Sequence, residues 1–175
     1  MAWGIEGDLG GIEQTLDRLY NAAEKATAKG LYKGAGVVAD NLSASVNSIY
    51  TEVFEYATGG YKRSPSPEEK AVLKSAAHGI AKFKSNGIEM DTSVGFDDAG
   101  YATFGKGKVF GTLKYGKHKG ERGIPIPMLA RAINSGTSFR EKQPFLNRAW
   151  SKSKSAADEA IRTTVDAELQ KAADE

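Results

Sequence analysis

The sequence predicts an α+β fold: a small antiparallel β-sheet packed against two or three long helices, with a protruding basic hairpin. Three observations lead there. Apolar residues recur at three- and four-residue spacing from Ile12 to Ile49 and again from Leu146 to Leu169, the period of amphipathic helices. From Ile88 to Phe96 the period changes to two, as a half-buried strand requires. Glycines and lysines, with Phe110 and Tyr115 among them, then run from Gly105 to Gly123, a composition of turns and exposed ribbon. The 175 residues suit one domain spanning 1–175 that can bury a core.

Residues 8–56 read as helical, after a short lead-in strand from Met1 to Gly7 and an N-cap at Asp8. Ile12, Leu16, Leu19, Tyr20, Ala23 and Ala26 form one apolar stripe, and Leu31, Val38, Leu42, Val46 and Ile49 resume it. The pattern fits either one long helix or two helices in line, and because each of Gly30, Gly34 and Gly36 costs roughly 0.5–1 kcal/mol against alanine inside a helix, a break near Gly30–Gly36 is favoured. Ala35, Gly36 and Ala39 are small enough to admit a second backbone, from the last helix or from a neighbouring copy.

Residues 57–66 read as a loop, rich in glycine, serine and proline. Ser66 is placed to cap a helix over 67–86, with Pro67 at its first position and Glu68 and Glu69 complementing its dipole. Asn86-Gly87 would stop that helix. A β meander over 88–122 follows, with Asp97-Asp98-Ala99-Gly100 as a turn and short strands at Tyr101–Phe104 and Lys108–Tyr115.

From Gly123 to Trp150 the chain reads GIPIPMLARAINSGTSFREKQPFLNRAW. Pro125 and Pro127 impose an extended entry, and Pro127 can open a short helix from Met128 to Ile133. Gly136 suits the left-handed residue just beyond a helix end. After the charged loop Phe139–Gln143, Pro144 starts the C-terminal helix, 144–172, whose face includes Phe145, Leu146, Ala149 and Trp150. Trp150 reads as a core anchor.

Composition excludes several chemistries. With no cysteine there are neither disulfides nor thiolate metal sites. The two histidines, His78 and His118, are far apart, and no calcium-loop spacing is present. Asp91, Asp97 and Asp98 read as strand-face and turn residues, so neither a catalytic site nor a cofactor or metal is expected. The run Gly105-Lys106-Gly107-Lys108-Val109-Phe110-Gly111-Thr112 has no Gly-Lys-Ser/Thr at the offset a phosphate loop needs, and it misses the dinucleotide fingerprint because Gly111 comes one residue late. No apolar run approaches the ~20 residues that span a bilayer, and the N-terminus has no signal-peptide pattern, which predicts a protein made in the cytoplasm with no membrane partner.

Charge is segregated behind a net +2. Residues 1–60 carry eight Asp/Glu against four Lys/Arg, whereas 104–122 carry six Lys/Arg against one Asp/Glu. Such blocks suit copies that meet basic face on acidic face, and equally suit solvated helix faces. The basic residues Lys106, Lys108, Lys114, Lys117, Lys119 and Arg122 could lie along a phosphate backbone, meet an acidic strip on a neighbour, or be solvated.

The order of a short helix, an Asn-Ser-Gly-Thr turn, a charged loop, Pro-Phe-Leu and a long helix resembles the phage neck and tail-completion family, the "gene product ten-like" proteins of long-tailed phages. In that family a Gly-Thr pair precedes a Pro-Phe-Leu that opens the last helix. Here these are Gly136-Thr137 and Pro144-Phe145-Leu146, with Lys142-Gln143 where the family often has a small residue and an arginine. The resemblance implies a virion structural protein of the neck or tail, without catalysis. It further implies a ring, often of six copies, between head connector or portal-adaptor proteins and tail tube or tail terminator proteins, with DNA in the channel. Lys106, Lys108, Lys114 and Lys117 are the foremost candidate contacts, followed by the loop residues Ser138, Arg140 and Lys142. The alternative is a small DNA-binding or DNA-packaging accessory protein that uses the 104–122 hairpin.

Overall fold

The computed structural model describes residues 9–52, 62–77, 80, 84–85, 89–96, 101–103, 123–138 and 140–174, with residues 9–13, 101 and 103 described by backbone alone. Two long helices dominate: α1, Leu9–Asn47, and α4, Phe145–Asp174. Two short ones, α2 (Pro67–Ala76) and α3 (Ile126–Ser135), pack near the C-terminal end of α1. Two antiparallel ladders complete an α+β fold: β1 (Lys84–Ser85) with β2 (Met90–Asp91), and β3 (Tyr101–Thr103) with β4 (Gly123–Pro125).

α1 is a single helix, not the two that its glycines predict. The reason lies across the interface. A methyl group on Gly34 would come within 2.6 Å of Ile161 Cγ1, and one on Gly30 within 2.8 Å of Val165 Cγ2. α4 runs antiparallel along α1 and fills the space that these glycines leave open, so packing compensates the cost of glycine in a helix. Gly36 faces nothing within 4 Å, so the close approach is at Gly30 and Gly34, with Ala35 and Ala39 buried beside them.

The helical segment expected to run to residue 56 ends at Asn47. Ser48 and Ile49 still bond back into the last turn, and the Tyr50 backbone is then claimed by a side chain described below. The helix expected over 67–86 is also shorter. Ser66 caps it as predicted, with Glu69 completing a capping box, but α2 stops at Ala76, where the Ala77 amide donates to the Lys74 carbonyl. Lys84–Ser85 instead pairs with Met90–Asp91, and Ile80 bridges Val94. Asn-Gly serves a tight hairpin as readily as a helix end, which is why the sequence reads either way at Asn86-Gly87. That dipeptide lies outside the described residues, as do the Met1–Gly7 strand, the Asp8 cap, the Asp97–Gly100 turn and the Lys108–Tyr115 strand.

The partner of β3 is β4, the extended entry to α3, with Thr103 opposite Gly123 and Tyr101 opposite Pro125. The core gathers where these pieces meet. Leu42, Val46, Ile49, Leu73, Phe96, Ala102, Ile126, Leu129, Ile133, Phe145 and Ala149 pack as one cluster, and the Phe96 and Phe145 rings meet edge to face at 6.2 Å. Trp150 is not part of it. One residue beyond buried Ala149, it stands 56% exposed on the outer side of α4, where the face that meets α1 runs through Phe145, Ala149, Ser153 and Ala157.

Candidate functional site

The block that carries the family resemblance is a knot of backbone and side-chain bonds at the N-terminal end of α4. Gly136 ends α3 with φ 74° and ψ 170°, a combination that is nearly glycine-only. The chain then turns back on itself. The Thr137 amide donates to the Arg140 carbonyl at 3.2 Å, and the Gln143 amide returns to the Ile133 carbonyl at 2.9 Å. Asn134 reaches across the loop and accepts from the Leu146 amide at 3.0 Å, satisfying one of the open donors at the start of α4.

Three partners tie this loop to the rest of the chain. Arg140 and Arg63 form a parallel bridge, and the Glu141 amide donates to the Arg63 carbonyl at 3.0 Å. Gln143 uses both ends of its amide on one residue: its Oε1 accepts from the Tyr50 amide and its Nε2 donates to the Tyr50 carbonyl, each at 2.9 Å. A side chain here does what a neighbouring strand would do.

The third tie is Arg140 to Glu69. The guanidinium donates through Nη1 to Oε2 at 2.9 Å and through Nη2 to Oε1 at 2.5 Å, a bidentate pair with Glu69 1% and Arg140 2% exposed. Glu69 also accepts from the Ser66 amide at 3.0 Å and from Arg63 Nη2 at 3.1 Å. Burial pushes its carboxyl up. The hydrogen bonds from Arg140 and Ser66, with the charges of Arg140 and Arg63, outweigh that and hold it below its usual value.

The predicted contact residues therefore divide. Ser138 and Lys142 are exposed on the loop. Arg140 is not the outward contact that its place in a charged loop suggests. Its guanidinium is committed to Glu69 inside the chain and offers nothing to a neighbour. Lys106, Lys108, Lys114, Lys117, Lys119 and Arg122 lie outside the described residues, but the Thr103–Gly123 pairing anchors both ends of their segment at one place. Of the signature residues, Phe145 is fully buried, Pro144 and Leu146 are half-buried, and Thr137 Oγ1 is a buried oxygen without a hydrogen-bond partner among the described residues.

No protein-family model, curated protein or solved structure matches the chain. The site thus has to be read on its own terms. Among the described residues no group of three or more His, Asp or Glu could hold a metal ion, and no helix is long and apolar enough to cross a membrane. What the knot does chemically is fix geometry. It holds the 137–143 loop, the root of α4 and the end of α1 in one arrangement, with Ser138 and Lys142 presented on its outer rim.

The Glu69–Arg140 pair is the feature that sequence reasoning missed. Glu69 is visible as a first-turn acid and Arg140 as a loop cation, but no spacing rule joins residues 71 positions apart. The one local signal is the capping box, which points the Glu69 carboxylate back over the turn before α2.

Proposed function

We propose that this chain is a virion structural protein of a tailed phage, assembling as a ring at the head–tail junction. It has no catalytic role in this reading. The observation that carries it is the Gly136-Thr137 to Pro144-Phe145-Leu146 block, which resembles the phage neck and tail-completion family and here forms a rigid knot at the root of α4. Rigid presentation of a loop by buried bonds suits a part that must meet identical neighbours at a fixed angle. The adjoining foot of paired β3 and β4, from which the strongly basic 104–122 segment departs, supports a second contact toward an acidic neighbour or toward DNA in the channel.

The test is a quantitative mass-spectrometric count of this chain in purified particles. A low, ring-sized copy number relative to the major capsid protein supports the reading. Absence from intact particles, with the protein plainly expressed, overturns it in favour of a DNA-binding accessory protein. That alternative predicts steep loss of DNA affinity with added salt.

A further inference from the structure

The segment of α1 from Thr15 to Lys29 runs beside α4, and a groove of about 710 Å³ lies between them. Leu19, Ala22 and Ala172 supply its apolar surface, and it is flanked by Arg18, Lys25 and Lys29 of α1 and by Lys171 of α4. Glu168 is the one carboxylate among its lining residues, and Lys29 pairs with it. Arg18, Lys25 and Lys171 are exposed and make neither a hydrogen bond nor an ion pair among the described residues. The groove thus holds three positive charges in excess, which reverses the charge of its surroundings. Residues 1–60 hold eight acids and four bases, yet three of those bases line the groove and, among the described residues, none of the acids does. The helix sorts them. Steps of seven and four residues bring Arg18, Lys25 and Lys29 to one side of α1, while Asp17 and Glu24, each one residue before a base, sit ~100° round the helix.

We propose that this groove binds the phosphate backbone of duplex DNA, without regard to sequence. Three features choose that occupant. The first is spacing. At 1.5 Å per residue, Arg18 and Lys25 stand ~10.5 Å apart along α1, and Lys25 and Lys29 ~6 Å. A DNA strand carries a charge every ~3.4 Å of its axis, so it meets each base of the groove in any register. An acidic protein segment has its carboxylates at fixed positions and needs apolar anchors, for which two alanines and one half-exposed leucine offer little hold. The second is that no aromatic ring stands among the described lining residues. A single strand is held by stacking its bases on such rings, whereas a duplex keeps its bases stacked inside and turns its phosphates outward. The third is that Arg18, Lys25 and Lys171 have no partner to give up, so each can displace an ion condensed on the DNA. The groove is distinct in sequence from the basic 104–122 segment, and it would hold DNA in a ring and in an accessory protein alike.

The test is titration of a labelled duplex of about 20 bp with the purified full chain, from about 50 to about 200 mM salt. Each phosphate contact adds about 0.9 to the slope of log Kd against log salt. Arg18→Gln/Lys25→Gln/Lys171→Gln should therefore lower that slope by about 2–3. Arg148→Gln/Lys152→Gln/Lys154→Gln makes the same change in net charge at exposed bases outside the groove, and should lower it by less than about 1. All six side chains are exposed, so both variants should unfold at the wild-type temperature. In the unmodified chain, the duplex should slow acetylation of Lys25 and Lys171 but not of Lys152. Four outcomes would each overturn the proposal: no duplex binding at the lowest salt, an equal loss of slope in both variants, unprotected Lys25 and Lys171, or displacement of the duplex by polyglutamate of equal charge. The last would mark an acidic protein as the occupant. The particle count tests where the chain works and the titration tests what this groove holds, so either can fail alone.

Discussion

Glu69 and Arg140, 71 positions apart, face each other in two parallel hydrogen bonds, both side chains almost wholly out of water. The pair fastens the first turn of α2 to the loop that precedes α4. A buried pair of this kind contributes little over an apolar substitute, yet is costly to break by half. Glu69→Gln should therefore lower stability by about 3–5 kcal/mol, because it leaves the Arg140 charge buried without its partner, and Arg140→Ala should cost less, because Arg63 and the Ser66 amide still hold the Glu69 carboxylate. Arg140→Lys should recover only part, since an ammonium cannot make the fork. Urea unfolding of the three variants checks this, and a loss below ~1 kcal/mol for Arg140→Ala would show the pair to be incidental.

Acid should act through the same carboxylate. Its folded-state pKa lies below the ordinary value of 4.5. A depressed carboxyl stabilises the fold fully above its unfolded-state pKa, and that stabilisation is lost as pH falls through the folded one. The stability gap between the wild type and Glu69→Gln should thus be widest near neutrality and shrink as pH drops below about 4.5. Urea midpoints measured from pH 7 to pH 3 give the answer. A gap that stays constant would mean that Glu69 is not the titrating group.

The backbone at Gly136 makes a sharper prediction. With φ 74° and ψ 170° it sits where side chains are strained, and a Cβ there would meet Lys142 Cβ at 3.1 Å and Lys142 Cα and N at 3.2 Å. Gly136→Ala should cost about 1–3 kcal/mol. Because the strained turn carries the loop that holds Arg140 and Gln143, the loss should appear in the unfolding midpoint together with faster amide exchange at Tyr50. Unchanged exchange at Tyr50 would separate the turn from the Gln143 clamp.

How far the sequence discloses this fold depends on the reach of the interaction. The Ser66 cap and the positive φ of Gly136 follow from rules that act over a few residues, and each is readable in advance. The length of α1 is not, because the gain that offsets Gly30 and Gly34 comes from Ile161 and Val165, more than a hundred residues on. Trp150 misleads for a related reason: three and four residues share a face with it as plausibly as with Ala149, and only the line of contact with α1 decides between them. Arg140 is the clearest case at the site, since an exposed loop cation and a buried clamp look the same until Glu69 is placed beside it. The 104–122 segment shows the opposite limit, where composition is eloquent about charge but names no partner.

The glycines of α1 can be set against each other. Gly36→Ala meets nothing within 4 Å and gains helix propensity, so it should stabilise by about 0.5–1 kcal/mol. Gly34→Ala gains the same propensity, but its methyl group would press on Ile161 Cγ1 at 2.6 Å and on the Ala157 carbonyl at 3.2 Å. Overpacking of that kind costs about 1–3 kcal/mol, so the net effect should be a loss. Thermal unfolding of the two variants should move in opposite directions. A rise for both would show that α4 can shift outward at little cost.

Thr137 offers the last prediction, and it bears on why a Gly-Thr pair stands here. Its hydroxyl oxygen is buried and makes no hydrogen bond among the described residues. A hydroxyl kept from water without a partner is unfavourable, and replacing it by a methyl group of the same shape removes that cost. Thr137→Val should therefore leave the isolated chain as stable as before or more stable, by up to about 1 kcal/mol. A clear loss of stability in calorimetry would mean that the hydroxyl is bonded within the chain. If the variant is instead at least as stable as the wild type but enters particles poorly, the hydroxyl finds its partner only on assembly.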